Sequence, residues 1–217
     1  MHRTPFRIAL AAAALTAIPS AARGDDKMEV GFYAGAHLWS DNNELGQPDG
    51  AAHTHSPENG LVFGIRAARR IIPLISGEGE LALAPSKVRG HEDVDVVQIG
   101  WRAHALVHPW TLAGGAIEPF ALFGAGGSTA ASTDTEVLGN DTDFVVHAGL
   151  GARYQAALDW GLRLDARLLL PPSSASETVT AEWEILLGFS RRFGRPPPAP
   201  PADASGAATG ATSSLTR

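Results

Sequence analysis

The sequence predicts an all-β protein, an eight-stranded antiparallel up-and-down transmembrane β-barrel. Three observations lead there: eight segments alternate with period two, long polar connections alternate with short turns, and an export segment precedes a chain with no spanning helix. The pattern is clearest in Asp143 to Leu170, DFVVHAGLGARYQAALDWGLRLDARLLL. Phe144, Val146, Ala148, Leu150, Ala152 and Tyr154 share one face of its first arm, opposite Val145, His147, Gly149, Gly151 and Arg153. In the second arm Leu162, Leu164, Ala166, Leu168 and Leu170 oppose Gly161, Arg163, Asp165, Arg167 and Leu169. Strand side chains alternate between faces, so each arm has one apolar side and one side of glycines and charges. A helix would mix Arg163 and Arg167 with Leu164 and Leu168 and leave no clean stripe.

At 217 residues, 18% charged and 44% hydrophobic, the chain suits one domain with flexible ends. Its 24 glycines fall mostly inside the alternating segments, where they mark close backbone approach or bends. A net charge of -6 gives no basic footprint for nucleic acid. With no cysteine, disulfides and thiolate metal sites are excluded.

Taken in order, His2, Arg3 and Arg7 precede an apolar run from Ile8 to Ile18, then Pro19 and the small residues Ser20, Ala21 and Ala22. That is the layout of an export signal over residues 1–24, cleaved after Ala22 or Gly24. The run is far short of the roughly 20 residues needed to cross a bilayer as a helix. The first strand, Met28 to Ser40, sets Val30, Phe32, Ala34, Ala36 and Leu38 against Glu29, Gly31, Tyr33, Gly35, His37 and Trp39. Residues 41–59, with Pro48, Gly50 and Pro57, form a long loop. The second strand, Gly60 to about Arg70, opposes Leu61, Phe63, Ile65 and Ala67 to Val62, Gly64, Arg66 and Ala68. After a short connection at Pro73, the third alternates Ser76, Glu78, Glu80 and Ala82 with Gly77, Gly79, Leu81 and Leu83.

Pro85 to Asp93 reads as the next loop, and Val94 to His108 as the fourth strand, with Trp101 on one face and Gln98, Arg102 and His104 on the other. After a connection at Pro109 to Ala116, the fifth strand, Ile117 to Gly127, has Phe120, Leu122 and Phe123 on both faces, so its sides stay unassigned. Ser128 to Thr142 is a long loop, the hairpin above supplies strands six and seven, and Pro171 to Glu177 is the last loop. The eighth strand, about Thr178 to Phe193, sets Trp183, Ile185, Leu187, Phe189 and Phe193 against Glu182, Glu184, Leu186, Gly188, Ser190 and Arg192. Residues 195–217, rich in proline, alanine and serine, read as a disordered tail.

Each strand reaches the roughly 9 to 11 residues that cross a bilayer obliquely. Hydrocarbon offers no water to unpaired backbone groups, so a sheet survives there only when closed, and an even strand count permits closure. Trp110, Tyr154, Trp160 and Phe193 cluster near the short-turn ends, where amphipathic rings suit the interface. A soluble sandwich would instead bury the leucines and wet the charges.

From about Asp25 to Gly194 the chain resembles the OmpA-type eight-stranded outer-membrane β-barrel family, in the segments VVQIGWRAHALVHPW, EPFALFGAGGST, GLGARYQ, GLRLDARLLLPPS and EILLGFSRRFG. The resemblance implies a bacterial outer-membrane location and a terminal aromatic, here Phe193, read by the barrel-insertion machinery. Many members continue through a proline-rich linker into a peptidoglycan-binding domain, which is not carried over to residues 195–217.

With apolar faces toward lipid, the inward set is Arg66, Glu78, Glu80, Arg102, His104, His147, Arg153, Arg163, Asp165, Arg167, Glu182, Glu184 and Arg192. An eight-stranded barrel is only wide enough for its side chains, and an unpaired buried charge is costly, so these residues are expected to neutralise one another as a lumen charge network. A narrow pore is the alternative. Glu78 and Glu80 are more simply ion-paired than catalytic. The His53-Thr54-His55 motif, with His91 or Asp49, offers metal ligands but reads as solvated loop. No phosphate loop or G-x-S-x-G elbow is present, and no serine and histidine are assigned together at the membrane face. The expectation is a non-enzymatic outer-membrane barrel with no cofactor or metal, partnered by lipid and by surface ligands at its loops.

Overall fold

The computed structural model describes residues 28–41, 43, 45–46, 55–157, 159–171 and 180–193. Residues 1–24, residues 195–217, Asp49, His53 and Thr54 lie outside them. Eight strands, β1 (Met28–Leu38), β2 (Gly60–Ile72), β3 (Ile75–Val88), β4 (His91–Val107), β5 (Ile117–Ser132), β6 (Thr142–Gln155), β7 (Trp160–Leu170) and β8 (Glu182–Phe193), pair in sequence order. All pairs are antiparallel, and β8 closes on β1 from Met28–Phe193 to Leu38–Trp183. Closure leaves no free edge. One short 3-10 turn, Ala113–Gly115, follows β4, and no helix among the described residues could cross a membrane.

The barrel is inside out relative to a soluble protein. Leu150 is 68% exposed, Leu187 61% and Phe32 60%, whereas Arg163, Arg167 and Glu184 are fully buried. Surface of that kind is stable only against lipid. Among the described strand residues, the outward charges stand at two heights: Arg69 and Arg191 at the short-turn end, and Lys87, Asp93 and Asp95 at the long-loop end. The Arg191 guanidinium lies 5.2 Å from the Trp160 ring and 5.2 Å from the Phe193 ring, an arrangement suited to the interface.

Two expected loops are shorter than the sequence suggests. Instead of a loop from Pro85 to Asp93, β3 and β4 continue into a hairpin that turns at Arg89 and Gly90, the latter with φ +81°. Pro85 fits because the registered pairing of β3 with β2 ends at Phe63–Leu83, so no β2–β3 ladder pair is lost there. Farther along lies the segment Ser56–Glu58: Glu58 N donates to the Lys87 carbonyl at 2.9 Å, and Arg89 N to the Ser56 carbonyl at 2.8 Å. Likewise β5 pairs with β4 up to Ser132 and with β6 up to Thr129, opposite Thr142, so that loop shrinks to residues 133–141. The described β8 begins at Glu182 rather than near Thr178.

Candidate functional site

The barrel interior is the candidate site, and period-two alternation builds it. Arg66, Glu78, Glu80, Arg102, His104, His147, Arg153, Arg163, Asp165, Arg167, Glu182 and Glu184 are buried, Arg192 is half-buried, and the fifth strand resolves with Glu118, Phe120, Leu122, Ser128 and Ser132 inside and Phe123 outside. Inward glycines make room for long side chains. A Cβ at Gly188 would collide with the Arg66 guanidinium, and one at Gly64 with the Tyr33 ring.

At mid-height Arg66, Arg102, Arg163 and Arg167 meet Glu78, Glu80, Asp165 and Glu184, four guanidiniums to four carboxylates. Arg102 donates to both Glu184 oxygens at 2.6 and 2.8 Å and to Glu80 at 3.3 Å. Arg167 donates to Glu80 at 2.8 and 2.9 Å and to Asp165 at 3.3 Å. Asp165 also accepts from Arg66 at 2.6 Å and from Arg163 at 2.8 Å, and Arg163 reaches Glu78 at 3.1 Å. His104 Nδ1 lies 3.0 Å from Glu78, and its ring meets His147 edge-on at 4.6 Å. Bidentate, mutually neutralising pairs are what make buried charge tolerable, although Arg66 Nε and Nη2 and Arg167 Nε have no hydrogen-bond partner among the described residues.

Apolar layers lie beyond this network. Toward the long loops, His37 contacts both Glu182 and Glu184 at 3.1 Å and stacks on Trp39 at 3.9 Å. Above it, Trp39, Leu45, Val88, Val94, Val96, Ala130 and Leu138 form a buried cluster. Gly139 N donates to the Gly46 carbonyl at 2.6 Å, tying the two loops that supply Leu45 and Leu138. Toward the short turns, Leu106, Phe120 and Leu122 cluster, with the Arg163 guanidinium 4.4 Å from the Phe120 ring. Below them Arg153 bridges Glu29 at 3.0 Å and Glu118 at 2.8 Å, and Arg192 contacts the same two carboxylates at 3.3 Å. A cavity of about 10 Å³ beside Gln98 and Glu182 has room for about one water.

Three residues that sequence reasoning kept apart meet at the short-turn end. Ser76 Oγ is 3.0 Å from His108 Nε2, and His108 Nδ1 is 3.4 Å from Glu118. The order is that of a hydrolytic triad, but the chemistry is wrong for one. Arg70, Arg153 and Arg192 all contact the Glu118 carboxylate. Burial, and then the Arg70 charge, pushes the His108 imidazole down to about 4, so it is neutral and a weak base at neutral pH. Glu29 and His37 also belong to the interior and were left out of the expected network, although their inward phase in β1 marks them. Glu118 was hidden by the ambiguous phase of β5. Glu78, Glu80 and His104 offer donor atoms within 4.8 Å of one another, but Arg102, Arg163 and Arg167 already occupy those carboxylates, so they do not fit a metal.

Two solved structures share this architecture. Neisserial surface protein A superposes with a TM-score of 0.55 at 12% identity, covering 77% of this chain and 97% of that one. The outer membrane protein OprG from Pseudomonas aeruginosa superposes with a TM-score of 0.54 at 14% identity, covering 79% of this chain and 97% of that one. No curated protein matches the sequence. The family model for the outer membrane protein β-barrel domain matches residues 8–193. A closed eight-stranded barrel with an oily exterior, matched over most of its length by that model, belongs to the outer membrane protein β-barrel domain family and resides in the bacterial outer membrane.

Proposed function

We propose that this protein is a non-enzymatic barrel with a structural and surface-interaction role, its lumen closed by the charge network and its long loops offered to ligands outside the cell. The observation that carries the reading is the charge-matched interior: four arginines facing four carboxylates between two apolar layers. An aqueous pore needs wetted charges and a continuous path, whereas Arg163, Arg167, Asp165 and Glu184 are at most 1% exposed. The neutral His108 and the arginine-bound Glu118 support the absence of a working nucleophile.

In this reading the lumen residues hold the barrel rigid so that the loop end keeps one shape. Residues 1–24 direct export, Phe193 is the signal read by the insertion machinery, and residues 195–217 form a tail on the short-turn, periplasmic side. The test is electrical: planar-bilayer recordings of the refolded protein are expected to keep a flat baseline. Reproducible conductance steps would overturn the closed lumen in favour of the pore.

A further inference from the structure

The docking of Ser56–Glu58 along the β3–β4 hairpin brings together two histidines far apart in sequence. The His55 and His91 rings stand 4.5 Å apart between centroids and 89° to one another. We propose that this pair binds a divalent transition-metal ion such as Zn²⁺ at the long-loop rim.

The spacing fits coordination. With metal–nitrogen bonds of about 2.0–2.1 Å, two imidazoles on one ion place their centroids roughly 4.5 Å apart at a right angle and roughly 5.2 Å apart at a tetrahedral angle, so a tetrahedral ion needs the rings to part by about 0.7 Å. The backbone holds the pair in place, because the bonds from Glu58 N and Arg89 N fix the segment after His55 against the turn before His91. Both rings are half-buried rather than sealed, so an ion and its waters can reach them.

The charge is also favourable. Glu58, Glu92 and Asp93 lie within three residues of the pair. The neighbouring cations are engaged: Arg89 pairs with Asp41 and donates to the Pro57 carbonyl at 3.3 Å, and Lys87 Nζ donates to the Glu92 carbonyl at 2.6 Å. The other close imidazole pair, His104 and His147, has similar spacing at 4.6 Å but is buried, and His104 shares Glu78 with the Arg163 guanidinium. Two half-buried imidazoles at a rim that carries carboxylates are the better ligand set for a borderline cation. The bound ion would pin the long first loop to the hairpin.

Isothermal titration of the full chain, refolded in detergent micelles, with Zn²⁺ tests this. His55→Gln and His91→Gln are each expected to weaken binding at least tenfold, while the double variant binds no more weakly than either single one, because one ion needs both rings. Unheated gel mobility equal to that of the parent shows that each variant is folded. A loss smaller than tenfold in either single variant, or losses that multiply in the double variant, would overturn the proposal.

Discussion

Replacing Glu184 with leucine is expected to lower the unfolding free energy by about 3–5 kcal/mol, the cost of stranding a buried charge. Glu184 is fully buried and accepts both prongs of the Arg102 guanidinium, with His37 at 3.1 Å on the same carboxylate. Without it, Arg102 keeps only the 3.3 Å contact with Glu80, whose oxygens already serve Arg167. Buried apolar clusters stand on both sides of the charged layer. Adding Arg102→Met should recover most of the loss, because removing both members leaves an apolar pair rather than an orphan. Urea unfolding in lipid vesicles, followed by unheated gel mobility, measures both. A single variant as stable as the parent would mean that the lumen is wet enough to screen the charge.

The second large effect lies on the opposite face. Leu164 sits near the middle of β7 and points outward, 55% exposed between Ala152 and Leu187. Leu164→Arg is expected to cost about 2–4 kcal/mol in lipid, the range for a cation at the bilayer midplane of a barrel. The same change at Leu170, the outward residue at the long-loop end of β7, should cost about 0–1 kcal/mol, because charge near the interface is nearly free. Equal costs at the two positions would contradict the depth assigned to them.

How legible the fold was in the sequence depended on how cleanly the two faces differ. In β6 and β7 the outward residues from Phe144 to Leu170 are apolar or aromatic and most inward ones are glycine or charged, so faces and strands follow from period two alone. In β5 the inward Phe120 and Leu122 and the outward Phe123 are all apolar, because one wall of the lumen holds an apolar layer; only Glu118, Ser128 and Ser132 betray the phase. The β3–β4 hairpin was missed for a related reason. Above the bilayer the outward positions become polar, as at Lys87 and Asp95, so alternation fades while pairing continues. Pro85 then looks like a break, although it lies just past the last registered β2–β3 pair, Phe63–Leu83.

The charged interior was legible as a set but not as a network. Alternation gives each residue a face, and order along the strand gives it a height. Which charges meet across the lumen depends on closure and stagger, which bring Arg163 of β7 to Glu78 of β3 and Arg102 of β4 to Glu184 of β8. The same holds for Ser76, His108 and Glu118, and for the His55–His91 pair, which exists only because a loop lies along the edge of a hairpin.

Everything rests on the direction of the two faces, and nitroxide accessibility reads it directly. Labels at Leu164 and Leu187 in lipid vesicles should be relaxed strongly by oxygen, which concentrates in hydrocarbon, and hardly at all by a water-soluble nickel chelate. Stronger relaxation by the chelate than by oxygen at those two positions would place the leucine face in water and contradict the account.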